Sequence, residues 1–198
     1  MKVLYGKIKE HLKAVDFQGF RPYEFAIYDK EKVAFRDEFI PWNKSFAGDT
    51  AIVYNNEMVA IYDISDLDAG FSAKHLCAGL VHEMFHCFQM ENNEKKFPNE
   101  IIGMDYPLSI NNYLLKHAET QHLYKWHNNN SQEDLDQFIR CRLNRESLLG
   151  EIIKYEYGLE SIEGTATYIE DKTYQYLSKS SAVIERHSKH INDVTKHI

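Results

Sequence analysis

The sequence predicts an α+β protein, mainly helical, in which a small, largely antiparallel N-terminal sheet precedes a buried helix. Three observations predict it. Between residues 50 and 64, β-branched and aromatic residues flank an Asn55-Asn56-Glu57 turn, the pattern of a hairpin. From residue 71 onward apolar residues recur at helical rather than strand period. The stretch 71–91, FSAKHLCAGLVHEMFHCFQME, is apolar on nearly every side, which marks a helix enclosed by the rest of the fold. At 198 residues the chain fits one domain, with a sheet-containing part over 1–70 and a helical part over 71–198.

Taken in order, Val3, Leu4, Ile8, Leu12 and Val15 line one face of a short amphipathic helix ending near Asp16. Gly19 and Pro22 then break the pattern. Residues 23–28 and 32–35 read as strands about a polar Asp29-Lys30-Glu31 turn. Residues 39–46, with Pro41, Trp42 and Asn43, read as irregular. The hairpin over 50–64 follows, then an acidic loop to residue 70, with Ser72 as N-cap of the buried helix. Residues 92–107 contain Pro98, Gly103 and Pro107 and read as a loop, of a length that often serves function. A helix over 108–127 ends at Asn128-Asn129-Asn130, and Ser131 with Asp134 approximates a capping box. Leu135, Phe138, Ile139, Leu149, Ile152 and Ile153 support a long helix interrupted at Gly150, which Gly158 stops or kinks. The tail over 181–198 is polar and helix-compatible. Its His187, His190 and His197 have nothing apolar around them and read as surface residues.

Composition narrows the function classes. A net charge of −7 argues against nucleic acid and anionic membrane as partners. No run of about 18 apolar residues exists to cross a bilayer. The segment MKVLYGKIKEHLKAVDF lacks the uninterrupted apolar core of a signal peptide. Cys77, Cys87 and Cys141 are odd in number and lack metal or redox spacing, so they read as reduced thiols in a cytoplasmic setting.

The buried helix carries one polar stripe: His75, Gly79, His82, His86 and Gln89, spaced by four, three, four and three. Imidazoles in a core cost free energy unless they gain partners. Residues four apart stack on one helix face, so His82 and His86 can reach a single point. In HExxH such a pair binds zinc, with the intervening acid, here Glu83, beside the metal as general base. The alternative is a pair of core histidines hydrogen-bonded to backbone or carboxylates. A third ligand discriminates between them. Downstream, over 158–177, Leu159, Ile162, Ala166, Ile169, Thr173 and Leu177 form a packing face. Glu160, Glu163, Thr167, Glu170 and Tyr174 form a separate stripe. Its adjacent carboxylates repel by roughly a few tenths of a kcal/mol per pair in solvent, a cost that a facing cation reverses. Gly164 and Ala166 are small enough for a close helix approach.

His82-Glu83-Met84-Phe85-His86 followed by Glu163-Gly164-Thr165-Ala166-Thr167-Tyr168 resembles the gluzincin metallopeptidases, the group of thermolysin and aminopeptidase N. In aminopeptidases of that group the Glu of an NEGFA-type segment is the third zinc ligand. Ile162 stands where those enzymes carry Asn, and their motif for the substrate amino terminus is not visible. The resemblance implies a zincin-like domain in which Zn2+ is held by His82, His86 and Glu163. It also implies hydrolysis of a peptide or protein substrate, with Glu83 as general base and proton shuttle. Glu160 and then Glu119 are the alternative third ligands. A metzincin would need a His where Asn92 stands, and Cys141 lacks the segment of a peptide deformylase. Tyr168, Tyr174, Tyr157, His75 and Arg142 are the candidate donors to an oxyanion. Glu160 or Glu170 would orient a ligating imidazole, and the hairpin's edge strand would pair with an extended peptide. Two other classes fit the same residues: a zincin-like binding or scaffold protein without turnover, and a metal-free helical protein with buried structural histidines.

Overall fold

The chain opens with α1 (Lys2–Leu12), whose Tyr5 and Ile8 are buried. Five strands follow: β1 (Glu24–Tyr28), β2 (Lys32–Phe35), β3 (Glu38–Pro41), β4 (Thr50–Tyr54) and β5 (Glu57–Asp63). The helices after them are α2 (Ala73–Glu91), α3 (Glu100–Met104), α4 (Ile110–Asn129), α5 (Gln132–Leu149) and α6 (Ile153–Ser178). This computed structural model describes residues 1–17, 19–67 and 72–179. The helix-compatible tail expected over 181–198 lies outside the described residues. Two compact units are distinguished, one made of Met1–Lys95 and the chain from Ile162 onward, the other of Lys96–Ser161.

In the first unit the strand order is β3-β2-β1-β5-β4. Three of its pairings are antiparallel and the central one, β1 with β5, is parallel, so the sheet is mixed. Its central strands are apolar at consecutive positions because both faces are covered. Phe25, Ile27 and Ala60 join a core with Tyr5 and Ile8 of α1 and Leu76, Leu80 and Met84 of α2. Their neighbours Ala26, Tyr28, Val59 and Ile61 join a second cluster built around the fully buried Phe46. The β4–β5 turn has positive φ at Asn55 (50°) and Asn56 (63°), the backbone a two-residue hairpin needs and Asn tolerates. Residues 38–41, expected to be irregular, instead form the edge strand β3. Its turn uses positive φ at Arg36 and Asp37, a pair with no turn signature in sequence. Pro41 is admissible there because an edge strand leaves one side of its backbone unpaired.

Ser72 caps α2 as expected, and His75 completes a capping box with it. Gly79 serves a close approach, since a Cβ there would lie 2.6 Å from the Tyr62 ring. Gly164 does not serve one, as a Cβ there would meet open space; Ala166, fully buried, is the small residue that packs.

In the second unit, the run expected to be loop contains α3, a single turn capped by Asn99. Asn130, with φ 52°, ends α4, and Gly150, with φ 58°, ends α5 before a short 3-10 turn. Gly158 does not stop its helix. It lies inside α6, where a Cβ would come 2.8 Å from the Lys96 backbone carbonyl. The second unit's polar interior is the network around Arg145, described below.

Candidate metal centre

The site is built from two helices of the first unit. α2 is held by its apolar sides: Leu76, Leu80 and Met84 are fully enclosed. That packing turns the polar stripe His75–His82–His86–Gln89 toward α6. On α6, buried Ile162, Ala166 and Thr173 fix the rotation, so Glu163 and Glu170 face the stripe. The polar pairs run in opposite senses along the chain: His75 stacks on Tyr174, His82 meets Glu170, His86 meets Glu163, and Gln89 bonds to Ile162 and Thr165. The two segments are therefore antiparallel.

At the centre three acceptor atoms converge. His82 Nε2 and His86 Nε2 are 3.0 Å apart, and Glu163 Oε2 lies 3.3 Å from the first and 3.4 Å from the second. Hydrogen bonds on the far sides of the rings decide what these atoms carry. Gln89 donates both amide hydrogens elsewhere, so its Oε1, 2.7 Å from His86 Nδ1, accepts from that nitrogen. His86 Nδ1 thus bears the hydrogen, and Nε2 faces the centre as a lone pair. His82 Nδ1 lies 3.3 Å from Glu170 Oε2, off line for a straight hydrogen bond. That carboxylate favours the same tautomer for His82. Two imidazole lone pairs and a carboxylate oxygen at these separations repel one another unless a cation lies between them.

The two separations to Glu163, 3.3 and 3.4 Å, also match a metal, and the 3.0 Å between the imidazole nitrogens is shorter than a bound metal would set. Zinc–nitrogen and zinc–oxygen bonds of about 2.0–2.2 Å put tetrahedral ligand atoms roughly 3.3–3.5 Å apart. Among the described residues, His82, His86 and Glu163 form the one group able to hold a metal ion. Two imidazoles and one carboxylate are a donor set for a divalent transition metal, and three protein donors would leave a position open.

Electrostatics around the centre follow from burial opposed by acid groups. Burial alone would lower the His82 imidazole, but Glu170, Glu83 and Glu163 together raise it above its ordinary value. Burial lowers His86, and charge on His82 adds to that effect against Gln89 and Glu163. Glu83 is buried, and burial pushes its carboxyl up to about 7, with Asp49, Glu163 and Glu170 adding and His82 opposing. A divalent cation beside it would draw that value down again.

Several other expected residues lie elsewhere. Glu160 pairs with Lys116 (2.8 Å) and Arg142 (2.7 Å), and Glu119 pairs with Arg142 (2.7 Å) and Arg145 (3.1 Å), all within the second unit. Neither joins the metal group; the carboxylate beside a His82 ring nitrogen is that of Glu170, at 3.3 Å from Nδ1. Among the candidate oxyanion donors, Arg142 is committed to those carboxylates and Tyr157 donates to Glu146. Tyr168 is exposed under Lys172, whereas His75 and Tyr174 stack with ring centres 4.3 Å apart beside the His82–Glu170 pair. Sequence reasoning missed Asp49, a loop residue whose charge reaches Glu83 and which accepts from the Asp63 amide. No spacing rule links it to α2. It also left Gln89 without a role, although its place three residues after His86 was the available signal.

No protein-family model, curated protein or solved structure gives a significant match to this chain.

Proposed function

We propose that the protein is a zinc-dependent hydrolase with a zincin-like fold, a metallopeptidase that cleaves peptide bonds with Glu83 as general base. The observation that carries the reading is the triangle of His82 Nε2, His86 Nε2 and Glu163 Oε2, with sides of 3.0, 3.3 and 3.4 Å and the His86 hydrogen directed away to Gln89. Zinc bound there supplies a Lewis acid that polarises a carbonyl and brings the pKa of water toward neutrality. Glu83, next to His82 in sequence and within electrostatic reach of Glu163, takes the proton of the attacking water and passes it to the leaving amine. Glu170 and Gln89 keep the two rings aimed inward. β4 is an edge strand with one side unpaired, and it offers an extended peptide or protein substrate a place to add a strand. Three free cysteines and a net charge of −7 favour a cytoplasmic setting with neither nucleic acid nor membrane as partner.

The test is elemental analysis of the purified protein together with two variants assayed on a broad peptide library. Wild type is expected to hold one zinc per chain and to cleave. Glu83→Gln should retain the zinc and lose at least 100-fold in turnover, the usual worth of a positioned base. Glu163→Ala should lose most of its zinc affinity. Zinc retention without any cleavage would make the protein a binding or scaffold module. A second reading has its own support: the raised proton affinity of His82 allows one proton, rather than a metal, to bridge the three acceptors. Absence of zinc after reconstitution favours that reading and overturns the first.

A further inference from the structure

We propose that Gln89 is the positioning residue of the metal centre: its one side-chain amide sets the tautomer of His86 and ties that ligand to the turn of α6 bearing Glu163. The inference rests on the metal reading above and extends it to a residue outside both motif segments.

Gln89 is buried, so each polar atom of its amide needs a partner. All of them have one. Nε2 donates to Thr165 Oγ1 at 3.1 Å and to the Ile162 carbonyl at 3.3 Å, while Oε1 accepts from His86 Nδ1 at 2.7 Å. Thr165 Oγ1 itself donates to the Ile162 carbonyl at 3.0 Å, so toward Gln89 it acts as an acceptor. Turning the amide over would set its oxygen against the Ile162 carbonyl and its nitrogen against His86. The Ile162 carbonyl therefore favours the orientation in which Oε1 faces His86. That orientation requires hydrogen on His86 Nδ1 and leaves Nε2 bare toward His82 and Glu163.

The other end of the amide acts on the third ligand. Ile162 and Thr165 bracket Glu163 within one helical turn, and both are held by the same side chain that holds His86. Two ligands from helices far apart in sequence are thus registered by one group. A plain core glutamine closing a helix interface would show the same burial, so the test needs readouts that simple packing does not move.

Gln89→Met keeps the length and apolar bulk and removes all three bonds. In chelator competition on the full chain with zinc, it should weaken zinc binding 10- to 100-fold, the range for partners that orient metal ligands. Tyr23→Phe removes a part-buried bond to the same helix, the 2.6 Å contact to Glu91, and should leave zinc affinity unchanged within twofold. In a Glu163→Ala background the Gln89→Met loss should shrink, because part of it acts through Glu163. Gln89→Glu retains the acceptor for His86 and should recover part of the affinity. Zinc binding unchanged by Gln89→Met overturns the proposal, as does full additivity with Glu163→Ala. A readout free of metal is 15N NMR of the metal-free wild type at pH 8.5, where His86 should carry its hydrogen on Nδ1. An Nε2–H form there overturns the proposal even if no variant folds. A wild type that binds no zinc yet shows the Nδ1–H form would sink the metal reading while leaving Gln89 in control of His86.

Discussion

Arg145 is fully enclosed and stays charged because nearly every donor it owns is used. Its Nε bonds to Asn112 (2.9 Å), Nη1 to Glu119 (3.1 Å) and Nη2 to both Tyr106 and Glu156. Breaking such a cluster on one side leaves an uncompensated charge inside the protein, whereas the intact cluster adds little net stability. Glu156 reports on it. Burial alone would raise its carboxyl, but Arg145, Tyr106 and Lys116 hold it down at about 2 against an ordinary 4.5. A depressed carboxylate stabilises the fold fully above its unfolded value and loses that contribution as pH falls toward the folded one. Stability should therefore drop by on the order of 3 kcal/mol between about pH 5 and pH 2 through this group. In Glu156→Gln that part of the acid transition should be missing from denaturant titrations at each pH. A slope identical to wild type would mean the carboxylate is not held down. The same network explains why Glu119 and Glu160 were poor choices of metal ligand: each already faces two or three cations.

α6 illustrates what periodicity can and cannot convey. Its glycine at 158 suggests a helix end, since Gly costs about 1 kcal/mol relative to Ala inside a helix. The helix continues because the missing Cβ lets it pass the Lys96 carbonyl. Gly158→Ala should therefore destabilise by roughly 1–3 kcal/mol through overpacking, despite the gain in propensity. Thermal unfolding of the variant checks this, and a rise in Tm would contradict it. Elements with a strong period were legible: the β4–β5 hairpin, α2 with its Ser72 cap, and the break at Gly150 stand near their expected bounds, while α1 ends at Leu12, a turn before the expected Asp16. β3 was not, because Arg36 and Asp37 adopt positive φ without the Gly or Asn that usually announces it. α3 was not, because five residues are too short for a period to show. The grouping of His82 and His86 with Glu163 was implied by the resemblance of the two motif segments and brought together in the structure. Nothing within either stripe fixes the rotation of one helix against the other, which comes from Ile162, Ala166 and Thr173.

For the molecule as a whole, zinc is expected to act as a ligand of the folded state. At a free concentration 100-fold above its dissociation constant it should add about 2.7 kcal/mol. For a chain of this size that corresponds to a Tm rise of roughly 5–10 °C. Scanning calorimetry with and without chelator measures it, and superimposable transitions would remove the metal from the account. No helix among the described residues is long and apolar enough to cross a membrane. The separation of the ligands along the chain has a consequence for biosynthesis. His82 and Glu163 are 81 positions apart, so at ~5–20 residues per second the ribosome adds the acid some 4–16 s after the first histidine. Until then a nascent chain presents a bidentate imidazole pair with no counter-charge from α6. A metal bound at this site would find its full donor set only after residue 163 is made, and a polypeptide arrested before α6 would carry two of the three donors.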